Sequence, residues 1–506
     1  MQDGPSSEPL PDGLLDAFWS YERALMDDDL AAMDRLFEDA PGTMRGDAGG
    51  LLVGHGLISA FRRSRGETAL RTVVDVQVRV MDDTHALVVA VTEARGGGRS
   101  LQTQLWHRAG ATWAVQAAHV SSPPVTFDSA VWRVVGDPLV PGGEGPLAGE
   151  RVAVKDLFAV AGHPVGAGVP AYLAEQTPAA EHATAVRRLV EAGASVHGIA
   201  RTDQFAYSLA GDNEHYGAPV NPMVPGGLPG GSSSGSATAV SLGAATIGLG
   251  TDTAGSVRVP ASYQGLWGLR TSHGSVPADG LLALAPSFDS VGLLSRSPEV
   301  LARSAAALLG GAGVGALREE LLACPALHDL ATPGVAASLR EWMSAVSAVR
   351  DVELPDAAEV AESFRVHQAF EAWQVHGPWL TAHPGALRGA PRARFETARA
   401  VTVAEDEAAG AALTRARRQI DETLGDRVLV LASAASSAPR VWDSAERVDR
   451  VRSATMRLTC YAGVTGRPAV SVPVLTDGGD PVGLSMVGPR GSDLALVELA
   501  RRLVPG

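Results

Sequence analysis

The sequence predicts two units of different class, an α+β unit in about the first 120 residues and an α/β domain over the remainder. Three observations carry this reading. A helical pattern is followed by four strand patterns in close succession; a stretch rich in Pro and Gly comes next; beyond it strand-like and helix-like segments alternate. At 506 residues the chain has room for two to four domains. With 45% hydrophobic and 19% charged residues it can bury sizeable cores.

In the first unit, Leu14, Phe18, Tyr21, Leu25, Leu36 and Phe37 recur at helical intervals, which predicts a helix over 14–37. Residues 71–80, 86–93, 100–107 and 112–120 alternate or run apolar. The turn clusters Asp82-Asp83, Gly96-Gly97-Gly98 and Ala109-Gly110 separate them, so an antiparallel sheet carrying helices on one face is expected. Ser121-Ser122-Pro123-Pro124 marks a break, and 123–149 reads as an ordered linker between a first domain over 1–122 and a second over 150–506. In the second domain a helix over 181–191, a cap at Gly193 and a strand over 195–200 set the alternating rhythm. Ser297-Pro298-Glu299 starts a helix that ends near Gly310, and Ser492 starts one that runs through Leu503. Residues 316–427 are strongly helical in composition.

A net charge of −14 disfavours nucleic acid and anionic membrane surfaces as partners, since both are bound by clustered cations. The least polar run, 237–250, is shorter than the ~20 residues of a spanning helix. The N-terminus lacks the basic start and apolar core of an export signal. Cys324 and Cys460 fit no metal or redox spacing, and the thirteen histidines form no metal motif. A cytoplasmic protein without a metal is expected.

Lys155 is the one lysine beside forty-one arginines. Arginine supplies surface charge equally well, but it cannot lose its proton, whereas a buried lysine can become a neutral amine and act as a base. The preceding run Val152-Ala153-Val154 would carry this lysine into the interior. Two further segments lie within about a hundred positions of it: Pro229-Gly230-Gly231-Ser232-Ser233-Ser234-Gly235-Ser236-Ala237, a loop entering a buried helix, and 250–260, in which Gly250 and Gly255 bracket a tight turn able to aim backbone N–H groups at one spot. Residues 231–235 also match the G-x-S-x-G elbow of α/β-hydrolases. Pro222, Pro225 and Pro229 occupy the approach where that elbow needs a strand, and the last histidine, His383, comes too early to complete its triad.

These segments, together with Gly265-Leu266-Trp267-Gly268-Leu269-Arg270, Thr465-Gly466-Arg467-Pro468-Ala469 and Val482-Gly483-Leu484, resemble the amidase signature family over about 127–506. The resemblance implies a central mixed sheet flanked by helices and an amide hydrolysis without cofactor. It makes Lys155 the general base, Ser232 a bridging serine after a non-proline cis peptide, and Ser256 the nucleophile. Backbone N–H groups of Thr253, Ala254, Gly255 and Ser256 would form the oxyanion hole, with Asp252 and Arg258 bracing the loop. Asn213 and Tyr216 look like a wall of the family's substrate channel. Arg270, Ser234, Ala254 and Gln204 depart from its usual residues. In the variable helical part His376, Trp379, Arg388 and Arg394 are candidates for substrate choice, an arginine there suiting a carboxylate.

Phe18 to Leu25, Thr43-Met44-Arg45, 54–62, Gln102 to Trp106 and Ala117 to Ser121 resemble the AtzH-like branch of the cone-shaped, SnoaL-like α+β domains. That branch is associated with amidases acting on small carboxylated ureas such as carboxybiuret or oxalurate. Tyr21 and Arg45 would face one pocket of this domain, or the domain would only scaffold or join two copies into a homodimer. The expectation is an amidohydrolase for a small-molecule amide or acyl urea, carboxylated and linear. A glutamine-dependent amidotransferase subunit and a non-catalytic binding protein are the alternatives.

Overall fold

The computed structural model describes residues 10–47, 50–64, 71–94, 99–121, 128–346 and 349–504. It divides into two compact units, Met1–Thr126 and Phe127–Gly506. The turn expected at Gly96-Gly97-Gly98 and most of the break at 121–124 lie outside the described residues.

In the first unit the helical pattern is split into two helices, Leu14–Met26 and Leu30–Leu36. The split has a local cause. Asp28 adopts a φ of +52°, and the Asp29 carboxylate accepts a hydrogen bond from Ala32 N at 2.9 Å, capping a new helix. Strands β1 (Met44–Asp47), β2 (Gly50–Val53), β3 (Arg71–Val80), β4 (His85–Ala94), β5 (Arg99–Ala109) and β6 (Thr112–Ser121) form one sheet in the order β2-β1-β6-β5-β4-β3. The four longer strands pair antiparallel, as their close succession predicts. The short β1 and β2 carry too little pattern to be read in advance, and β1 lies parallel to β6. Leu14, Phe18 and Tyr21 from the first helix and Trp106 and Val115 from the sheet build a core of this unit's own.

The second unit is organised on one mixed sheet. Its strands are β7 (Trp132–Val140), β8 (Arg151–Lys155), β9 (Ser195–Ala200), β10 (Ile247–Asp252), β11 (Trp267–Arg270), β12 (Ser290–Ser295), β13 (Leu321–Ala323), β14 (Val349–Asp351), β15 (Val428–Ala432), β16 (Ala469–Asp477) and β17 (Asp480–Val487), in the order β14-β13-β15-β17-β16-β11-β12-β10-β8-β9-β7. β7 corrects the reading of 123–149 as a linker. This stretch adds an antiparallel edge strand to β9, and its Asp137–Pro138 bond is cis. Proline at an edge strand removes a donor that no neighbour needs.

Most helix boundaries follow the local signals. The helix Pro298–Leu309 begins at Ser297, whose Oγ accepts from Val300 N at 3.2 Å, and ends at Gly310 with φ +57°. The helix Thr184–Glu191 starts three residues later than its pattern predicts. Ser492 precedes the terminal helix Asp493–Leu503, but its hydroxyl donates to Pro489 O at 2.8 Å and does not cap the helix. In the helical segment, Ala357–Ala382 packs against Gly389–Ala400, Val403–Leu424 and Ala445–Thr465. The helices Ser234–Ser241 and Arg258–Tyr263 are buried on every side, which is why their sequences lack amphipathic alternation.

Candidate active site

β8 runs parallel to β10, with Val154 opposite Leu249, so the carboxyl ends of the two strands lie side by side. Ligand sites of open α/β sheets gather at such ends. β8 ends on Lys155 and β10 runs into the turn that carries Ser256, so two segments about a hundred residues apart meet. The helix Ser234–Ser241 brings the third. An added Cβ at Gly250 would lie 2.6 Å from Ser233 Oγ, so glycine there is what lets the serine loop close onto the strand.

Lys155 is fully buried. Its Nζ lies 2.8 Å from Ser232 Oγ, 3.0 Å from Ser233 Oγ and 2.8 Å from Thr251 Oγ1. Burial pushes its pKa down to about 7, against an upward pull from the carboxylates of Asp203, Asp289 and Asp252. As a neutral amine it has two N–H donors and one lone pair. Ser233 Oγ already donates to Thr251 O at 3.3 Å and therefore accepts from Nζ. With Thr251 taking the other N–H, the lone pair is left for the Ser232 hydroxyl proton.

The Gly231–Ser232 peptide is cis. Ser232 O accepts from Thr202 Oγ1 at 2.9 Å, and the next N–H, that of Ser233, donates to Ser256 O at 3.3 Å. The serine loop is thereby tied to the Ser256 turn. Ser256 lines a narrow cavity with Tyr207, Thr253, Gln368, Arg452 and Met456, and its hydroxyl makes no hydrogen bond within the described residues.

Asp252 organises the turn. Its Oδ1 accepts from Gly255 N (3.0 Å) and Arg258 Nη2 (2.8 Å), and its Oδ2 from Val257 N (3.2 Å) and Arg258 Nε (3.0 Å). Arg270 Nη1 reaches both the Asp252 backbone carbonyl and Oδ1. Burial alone would raise the Asp252 carboxyl, but Arg258 and Arg270 hold it far below the ordinary carboxylate range. Gly255 sits at φ +121°, where a Cβ would also press on Thr459 and Val259 at 3.1 Å. The Gly255 N–H is therefore directed at Asp252, away from the position expected of an oxyanion donor. Among the described residues the N–H groups of Thr253, Ala254 and Ser256 donate to no protein acceptor. Thr253 and Ala254 are held from behind: Thr253 Oγ1 donates to Asp289 Oδ1 at 2.5 Å, and Thr459 Oγ1 donates to Ala254 O at 2.6 Å.

Of the residues expected to select substrate, several brace the fold instead. Asn213 Nδ2 donates to Gly168 O (2.8 Å) and Thr202 O (2.9 Å), and its Oδ1 accepts from His215 N. The Tyr216 ring stacks under the Arg201 guanidinium at 3.5 Å. His376 is buried against Phe205, bonded to Ala283 O at 2.9 Å, and burial holds it neutral with a pKa of about 4. Trp379 Nε1 donates to Glu175. Arg388 is exposed, and its main chain makes two hydrogen bonds with the Gln204 amide, which settles what the glutamine does in place of the usual acid. Arg394 Nη1 donates to Tyr207 O at 2.7 Å, behind the cavity wall. Gln368 and Arg452 do line the cavity, and no motif pointed to them. Both lie on helices whose pattern reports packing only.

In the first unit Tyr21 is buried between Phe37 and Trp106. Burial raises its pKa, with Arg62, Glu22, Arg71 and Arg45 as the charges acting on the phenol. The Arg45 guanidinium lies 4.6 Å over the Phe61 ring. A buried network beside it joins Glu22 to Arg71 at 2.9 Å and to Gln102 Nε2 at 2.7 Å. Among the described residues no cluster of His, Cys, Asp and Glu could hold a metal ion, and no helix is long and apolar enough to cross a membrane.

Comparison with known proteins shows the family. Residues 141–311 match the Amidase family model and 12–124 the AtzH-like model. The chain is 31% identical over 415 residues to Amidase 1 of Arabidopsis thaliana, covering 74% of this chain and 98% of that one. It is 34% identical over 382 residues to the 2-amino-5-chloromuconic acid deaminase of Comamonas testosteroni, covering 70% and 81%. Among solved structures it resembles a chain from a vestigial protein complex that bears on the origins of an s-triazine catabolic enzyme, with a TM-score of 0.68 at 26% identity over 75% of this chain and 92% of that one. A second solved structure, an amidase, gives a TM-score of 0.64 at 30% identity over 71% and 84%. The chain belongs to the amidase signature family, carries an AtzH-like domain at its N-terminal side, and is a hydrolase of amide C–N bonds.

Proposed function

We propose that hydrolysis proceeds through a serine acyl-enzyme on a small, linear, carboxylated amide or acyl urea. The observation that carries this reading is the buried Lys155 amine within 2.8 Å of Ser232 Oγ, with its pKa pushed down to about 7. Neutral Lys155 takes the Ser232 proton while Ser232 takes that of Ser256, and Ser256 Oγ attacks the amide carbonyl. The developing oxyanion is met by the N–H groups of Thr253, Ala254 and Ser256; losing one such donor typically costs ~2.7–4 kcal/mol of barrier. The proton returns through Ser232 to the leaving nitrogen, the C–N bond breaks, and ammonia or an amine departs. Water then attacks the acyl-enzyme by the reverse relay and frees the acid.

The carboxylated substrate class rests on the AtzH-like domain and on the acid in the name of the Comamonas relative. Likeness to a chain from a protein complex supports association with further copies or partners, and a homodimer joined through the N-terminal unit is the form we propose. A cytoplasmic location is supported by two buried, free cysteines. Ammonia release across a panel of amides and carboxylated ureas tests the mechanism. Ser256→Ala should abolish release, together with labelling by a serine-directed fluorophosphonate. Labelling of Ser256→Ala at the parent rate would show that the nucleophile lies elsewhere.

A further inference from the structure

The helix Ala445–Thr465 presents Arg452, Met456 and Thr459 along one side, at intervals of four and three residues. Thr459 holds the carbonyl of Ala254, two residues before Ser256, while Met456 and Arg452 line the cavity into which Ser256 faces. Arg452 therefore sits two turns, about 10 Å along the axis, from the level of the reacting serine.

Its charge is poorly matched. Arg452 Nη1 lies 3.6 Å from Asp449 Oδ1, beyond hydrogen-bond length, and the Asp449 side chain is 66% exposed to water. Among the described residues the guanidinium makes no hydrogen bond, although only 16% of the side chain is exposed. The neighbouring cations are satisfied: Arg365 makes a two-pronged bond to Glu362 at 2.8 and 2.6 Å, and Arg394 is spent on Tyr207 O. On the same cavity wall Gln368 is 4% exposed, and its amide makes no hydrogen bond within the described residues. The Tyr207 phenol beside them is held neutral by burial. A guanidinium held only by this loose ion pair and an amide without a protein partner leave donors open to a ligand in the cavity. A carboxylate fits both, accepting two parallel N–H bonds from arginine and one from the amide.

We infer that Arg452, assisted by Gln368, seats the carboxylate of the substrate and so selects short linear amides that end in an acid. The inference rests on the amidase reading of Ser256 and moves the carboxylate contact from Arg388 and Arg394 to a residue of the C-terminal helix. It is tested on the full-length chain with succinamic acid and its methyl ester, which differ in the charge and one methyl group. The parent should prefer the acid. Arg452→Gln should lose about a hundred-fold in kcat/KM on the acid, mostly through KM, and far less on the ester. Arg452→Lys should fall between them, since it keeps the charge and loses the fork. A neutral fluorophosphonate should still label Ser256 in both variants, showing that fold and nucleophile are intact. Equal losses on acid and ester, or a parent that does not favour the acid, would overturn the inference. A parent that the fluorophosphonate does not label at Ser256 would overturn the amidase reading itself, and the inference with it.

Discussion

Lys155 shows how one side chain can be held ready for proton transfer by its surroundings. Burial is the dominant influence and favours the neutral amine, while Asp203, Asp289 and Asp252 moderate it. Because the neutral form is the proposed base, kcat/KM should rise with pH through about 7 and level off above it; below the inflection each unit of pH costs about ten-fold. A flat profile between pH 5.5 and 9 would contradict the assignment. Asp203 is itself buried and pushed up to about 7, with Asp212 adding to the effect of burial. Asp203→Asn tells the two groups apart. Removing that carboxylate takes away an upward pull, so the inflection should move to lower pH; if it vanished, it would have belonged to Asp203.

At the scale of elements, the turn between β10 and the helix Arg258–Tyr263 depends on a single carboxylate. Asp252 pairs with two fully buried guanidiniums and fixes the N–H groups of Gly255 and Val257. Breaking a buried ion pair from one side leaves uncompensated charge, typically worth about 3–5 kcal/mol. Asp252→Asn should lower the stability of the unit 127–506 by that order in denaturant titration, with Arg258 and Arg270 left facing a neutral amide. A loss below about 1 kcal/mol would show that the arginines find other partners. Much of this element was legible in the sequence. Gly250 and Gly255 marked the turn and Lys155 stood out by residue type, while Ser232 and Ser256 were singled out by the family resemblance. The direction of the Gly255 N–H was not legible, because it is set by Asp252 three residues back and by Thr459 two hundred residues on. Arg452 and Gln368 could not be read for the same reason: helical periodicity reports that a face is packed and is silent on which residue of another helix stands opposite. β7 was hidden by its own Pro and Gly, which serve an edge strand as well as a linker.

At the scale of the molecule, each unit has its own core, one around Phe18, Tyr21 and Trp106 and the other around the mixed sheet. Calorimetry should therefore resolve two unfolding transitions, and a single sharp one would mean that the units unfold together. The groups assigned to amide hydrolysis all lie within 127–506, so Tyr21→Phe should retain ammonia release. Loss of activity in that variant would place the N-terminal unit in the same reaction. In the proposed mechanism a neutral lysine amine drives the hydrolysis, and kcat/KM of Lys155→Arg across the accessible pH range tests this directly. Arginine keeps the charge but not the removable proton, so no hydrolysis is expected at any pH. Substantial activity in that variant would contradict the mechanism.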